Sequence, residues 1–173
     1  EFTQIKKLAA FDRDLEMTGR LFMQRPDHFA WHVNHPIRYR MVIKDETLLQ
    51  WDAVSDNIQK LSLKDNPQFT ALSRQMEMWF SGRYNTLLND YRVSLLGDNP
   101  IRLRFHPRKQ ALAADFIEHI TVTFEKNTRY IREFDLLEAS QDRTLIRFSQ
   151  TRINPALDES AWDVRGSSPD DVD

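Results

Sequence analysis

Cysteine is absent from this 173-residue chain, which excludes disulfides, zinc–thiolate and iron–sulfur centres, and thiol nucleophiles. Glycine (4) and proline (7) are scarce, so collagen-like and low-complexity architectures are ruled out. No glycine-rich phosphate loop of the G-x-x-x-x-G-K-[ST] or G-x-G-x-x-G kind occurs either. No run approaches the roughly 18 apolar residues that cross a bilayer as a helix. A bias of charge is also missing. With 24 basic and 26 acidic residues the formal net charge is −2, which gives no general attraction to nucleic acid. The chain opens at Glu1-Phe2-Thr3-Gln4 without an initiating Met or a signal peptide, and this is taken as a processed or trimmed N-terminus. What is present is 40% hydrophobic residues, enough for one buried core. One globular domain over residues 1–165 is expected, followed by a disordered acidic tail, 166–173.

Over the first sixty residues the hydrophobic period is two. Leu15, Met17, Gly19, Leu21 and Met23 alternate with Glu16, Thr18, Arg20, Phe22 and Gln24. Arg25-Pro26-Asp27 interrupts the pattern, because proline cannot donate to a strand ladder. It resumes with Phe29, Trp31 and Val33, then with Tyr39, Met41 and Ile43 after the Asn34-His35-Pro36 turn. Leu48–Asp52 and Asp56–Leu61 complete an antiparallel meander. The period then changes. Phe69, Leu72, Met76, Trp79 and Phe80 form one stripe of an α-helix over 67–82, with Asn66 as cap, Pro67 at the first position and Gly82 at the end. A second, shorter helical turn is expected around Tyr84–Asn89. Strands return at Tyr91–Leu96, Ile101–His106, Phe116–Phe124, Tyr130–Glu138 and Thr144–Thr151. The fold class is therefore mainly β with α, a single antiparallel sheet around a helix.

Little in this pattern points to catalysis. On a strand, His28 and His32 share a face about 13 Å apart, too far for one metal ion. No G-x-S-x-G elbow accompanies Ser55, Ser73, Ser81 or Ser94, and Asp12/Asp14 and Asp45/Glu46 sit in polar turns. Arg38, Arg40, Arg102 and Arg104 alternate with core positions and are expected on a solvated exterior. Arg25 has two readings. It is a surface arginine at a strand end, or it stands at the rim of an apolar hollow with its donors on a covering helix.

The stretch Phe2-Thr3-Gln4, Gly19-Arg20-Leu21-Phe22-Met23-Gln24-Arg25-Pro26, Phe29-Ala30-Trp31-His32-Val33 and Pro36 resembles the LolA-type periplasmic lipoprotein carriers. Asn66-Pro67, Asp90-Tyr91, and Phe148 through Asn154-Pro155 to Leu157-Asp158 are compatible later pieces. The resemblance implies a sheet curled into an unclosed β-barrel under a helical lid, with an apolar interior for acyl chains. It implies a carrier that takes lipoproteins, or a related lipid, from an inner-membrane transporter to an outer-membrane receptor, with no enzyme activity and no cofactor. It also implies a periplasmic location, and a monomer is expected. Family members carry an amphipathic helix before F-T-Q, so its absence from this sequence is read as removal or omission. A lipoprotein-sensing regulator or scaffold that binds a protein partner is the alternative.

Within that frame, Arg25 corresponds to the arginine that locks the lid. Leu21, Met23, Trp31, Met41 and Ile43, with Leu103 and Phe105 from later strands, are assigned to the lining. Phe69, Leu72, Met76, Trp79 and Phe80 are the lid stripe that fills the hollow and must yield to cargo.

Overall fold

The computed structural model describes residues 1–11, 13–25, 27–66, 78–80, 84–126 and 130–165. Eleven strands form one antiparallel sheet: β1 (Phe2–Lys7), β2 (Asp14–Gln24), β3 (His28–His35), β4 (Tyr39–Lys44), β5 (Thr47–Asp52), β6 (Asn57–Ser62), β7 (Tyr91–Asp98), β8 (Ile101–Pro107), β9 (Ile117–Phe124), β10 (Ile131–Glu138) and β11 (Arg143–Phe148). Their order is β6-β5-β4-β3-β2-β1-β11-β10-β9-β8-β7, so the sheet is not closed. The mainly β, single-sheet expectation holds. Residues 67–77 of the expected lid helix lie outside the described residues, as does the tail 166–173; residues 78–80 are helical. Expected short turns appear as 3-10 helices at Tyr84–Asn89 and Leu112–Asp115.

The chain divides into two compact units, residues 1–17 with 76–151, and residues 18–75 with 152–173. In the first, β7 to β11 run as a meander, and β1 adds to β11 in the register Phe2↔Phe148 through Lys7↔Arg143. The α-amino group of Glu1 donates to the Ser149 carbonyl at 3.0 Å. Phe2 is 2% exposed, so the F-T-Q start is part of the sheet and the core. Inward side chains of β7 to β10 meet around Trp79, Leu87, Tyr91, Phe105, Ile120, Val122, Phe124 and Ile131.

In the second unit, β2 to β6 form a meander with tight turns. The β4–β5 hairpin uses Asp45 and Glu46, both at positive φ (50° and 60°), as a two-residue connection. Asp52 organises the next turn by accepting from the Val54 and Ser55 amides and the Ser55 hydroxyl. The sequence pattern predicts one dry and one wet face here, and the structure differs. Ala30, His32, Arg40 and Val42 are buried as fully as Phe29, Val33, Met41 and Ile43. The reason is the segment after Asn154. Asp158 accepts from the Ser160 amide and caps a 3-10 turn, Glu159–Trp162. Val164 then packs on Ala30 and Val42, with Phe22, Leu49, Trp51, Ile58 and Trp162 around them.

Two expectations are corrected by the structure. Arg40 is not on a solvated exterior. It is 3% exposed, and its guanidinium donates to the Val33 carbonyl (3.3 Å) and to Asn34 Oδ1 (2.9 Å). Leu15, placed on the apolar face of its strand, is 52% exposed, because β2 begins beyond the buried part of the sheet. Truncating Val164 to alanine is expected to cost about 1–2 kcal/mol and to speed tryptic cutting at Arg152. An unchanged urea midpoint and cutting rate would show that the segment does not hold that face closed.

Candidate functional site

Cross-strand register decides which of the assigned lining residues meet. In the second unit, Leu21 faces Trp31 and Trp31 faces Met41 across β2, β3 and β4. The next row runs Met23, Phe29, Ile43 and Leu48. Five of the assigned residues thus share one sheet face, since partners in register point the same way. Met41 and Ile43 are buried, whereas Leu21, Met23 and Trp31 are half-buried. Phe29, placed by its alternation with Trp31 and Val33 but not assigned to the lining, belongs to the same apolar face, as does Leu48, which was missed because it is the one large apolar side chain that β5 adds to that row.

The other two lining residues lie in the first unit. Leu103 faces Val122, and Phe105 faces Ile120. Trp79, from the expected lid stripe, inserts among the aromatic rings of this face. Its ring stands edge-on to Phe105 (centroids 4.8 Å), Phe134 (5.2 Å) and Tyr91 (5.8 Å). Phe80 meets Phe148 at 5.5 Å, also edge-on. Edge-to-face pairs of this kind place positive ring edges on negative ring faces and add to burial. Phe69, Leu72 and Met76 lie outside the described residues.

Trp79 is 3% exposed, and its indole Nε1 has no hydrogen-bond partner among the described residues. A buried donor left unmade costs roughly 1–3 kcal/mol. The ring therefore contributes apolar packing at a polar cost, and any state that lets water or a carbonyl reach the N–H recovers that cost. Tyr84, edge-on to Phe124 at 5.4 Å, lies in the same dry surroundings, and burial pushes its hydroxyl pKa up to about 12. The contacts that these side chains make here are apolar. Arg25 sits one residue beyond β2 with its side chain exposed.

The two histidines of β3 have different surroundings. His32 is 7% exposed and lies between Arg20 and Arg40 in adjacent strands. Burial first, then Arg40 and Arg20, lower its pKa to about 4, with Asp163 opposing. His28 instead stacks at a tilt on Trp162 (5.3 Å), with Nε2 3.6 Å from Asp45. Among the described residues no three His, Asp or Glu side chains group as a metal site, and no helix is long and apolar enough to cross a membrane.

The profile of the family described as "Outer membrane lipoprotein carrier protein LolA" matches residues 1–164. An "Outer-membrane lipoprotein carrier protein" from Chromohalobacter salexigens is 24% identical over 148 residues, covering 85% of this chain and 66% of the relative. The chain thus spans slightly less than two thirds of the length of that curated relative. A DUF1329 family protein from Desulfovibrio piger aligns over 94% of this chain and 87% of its own, at 11% identity and a TM-score of 0.40. The match of the family profile across nearly the whole sheet, from the F-T-Q strand to the covering segment, shows that this chain belongs to the LolA family of outer membrane lipoprotein carrier proteins.

Proposed function

We propose that this chain carries the acyl chains of lipoproteins, or of a related lipid, through the periplasm from an inner-membrane donor to an outer-membrane acceptor. The observation that carries the reading is Trp79, buried among Tyr91, Phe105 and Phe134 with an unsatisfied N–H. Burying methylenes contributes about 0.8 kcal/mol each, so a rigid hollow for one long chain would hold it too tightly to hand on. A side chain that occupies the apolar space and must be displaced lowers the net affinity by the stability of the closed state. Trp79 suits that role because leaving its position restores hydration to its N–H. Leu103 and Phe105 would line the vacated space, and Leu21, Met23, Trp31, Met41 and Ile43 would offer a further apolar surface. Membership of a carrier family supports this reading over an enzyme.

Arg25 is assigned the locking role, with its donors on the covering helix. Arg25→Leu is expected to raise binding of an apolar fluorescent dye and to slow delivery of lipoprotein to acceptor membranes. If dye binding and transfer both stay at wild-type values, Arg25 has no part in opening. Native mass spectrometry of protein taken from periplasm tests the function itself. Stoichiometric lipid supports carriage, and a stable protein complex without lipid overturns it in favour of a sensor or scaffold.

A further inference from the structure

The polar face of β7 to β9, opposite the aromatic cluster, carries a second feature. Arg92 on β7 and His106 on β8 are partners in register. They open onto a cavity of about 430 Å³, also lined by Lys109, Ala114, Ile117 and Glu118. The only carboxylate of that lining, Glu118, accepts from Gln141 Nε2 at 2.8 Å. His119 lies beside His106, ring centroids 5.5 Å apart. Its pKa is lowered by burial first, then by Arg104 and His106, with Glu118 and Asp135 opposing.

Four cations elsewhere in this unit are held in ion pairs. Lys6 pairs with Glu138, Lys7 with Asp14, Arg143 with Asp135, and Arg147 with Glu133. Arg92 and Lys109 have no ion pair or hydrogen bond among the described residues. Arg92, Lys109 and His106 line one concave site and outnumber its single carboxylate, Glu118, and their N–H groups form the donor set that a tetrahedral oxyanion needs. Ala114 and Ile117 add an apolar wall, which suits the carbon skeleton of an ester better than a bare ion.

We propose that this pocket binds a phosphate ester, with Arg92 and Lys109 on the phosphoryl oxygens, His106 as a further donor, and Ile117 against the esterified carbon. The phosphate can belong to a soluble ester or to a phospholipid headgroup. The site is independent of the acyl-chain reading, and its failure would leave that reading intact.

Ring-proton NMR of His106 and His119 tests it at low ionic strength, where an exposed charge pair is least screened. Inorganic phosphate, glycerol 3-phosphate and phosphatidylglycerol vesicles are the probes. Saturable shifts with both soluble phosphates, stronger for the ester, are expected. Arg92→Gln should weaken binding about fivefold, Arg92→Gln with Lys109→Gln should abolish saturation, and Arg143→Gln should change nothing. Soluble binding without vesicle co-sedimentation supports the site and assigns it to soluble esters. Co-sedimentation that the double variant loses assigns it to the headgroup. No saturable shift with either soluble probe, or the same shift in the folded double variant, overturns the proposal.

Discussion

Trp79→Ala is expected to lower the stability of the first unit by about 3–5 kcal/mol and to raise its affinity for an apolar dye. The side chain is 3% exposed and touches three aromatic rings from three strands, so its removal leaves a large void that strands held by their ladders cannot close. The gross loss is offset in part, because the orphaned indole N–H disappears with the ring. Trp79→Phe separates the two contributions. It keeps most of the apolar contact and deletes the donor, so its urea midpoint should stay close to wild type or exceed it. In the alanine variant, dye fluorescence should rise where Phe105 and Phe134 are uncovered. A Trp79→Ala protein that unfolds at the wild-type urea concentration and binds no more dye would remove Trp79 from both packing and gating.

Acid is the second lever. His32 lies in a row with Arg20 and Arg40, under the cover that Asp163 and Val164 belong to. In the unfolded chain it protonates near the ordinary 6.5, whereas in the fold burial and the two arginines hold it to about 4. Between those values the unfolded chain binds the proton and the folded one does not. Stability is therefore undiminished above pH 6.5, falls as pH drops toward 4, and levels off below. The full loss is roughly 3 kcal/mol. Urea denaturation across that range should show the slope, and His32→Gln should remove most of it. His119 leaves a smaller residue of the same sign, because its pKa is lowered as well. A slope in the variant equal to that of wild type would place the acid sensitivity elsewhere.

How much of this was readable in advance depends on how local the cause is. The β4–β5 hairpin was visible because Asp45-Glu46 between alternating strands is a turn in almost any context. The row Leu21, Trp31, Met41 followed from alternation, since a side chain every second residue must share a face. The stripe residue Trp79 was likewise found from helical spacing, and it does lie against Phe105 from the assigned lining. Arg40 was placed on the outside by the same rule, and there the rule failed. Alternation distinguishes two faces but does not say that the second is wet.

Composition and period therefore settle the mainly β architecture, the meander, the positions of the turns and one apolar face, because each depends on neighbours a few residues away. The second face of this meander is covered by Val164, which packs on Ala30 and Val42 from more than 120 positions along the chain, and Asp163 acts on His32. Likewise Arg92, Lys109 and Glu118 come to line one cavity only through the pairing of β7, β8 and β9. Such contacts form only when distant segments meet, and nothing in a local period records which segment will cover which face.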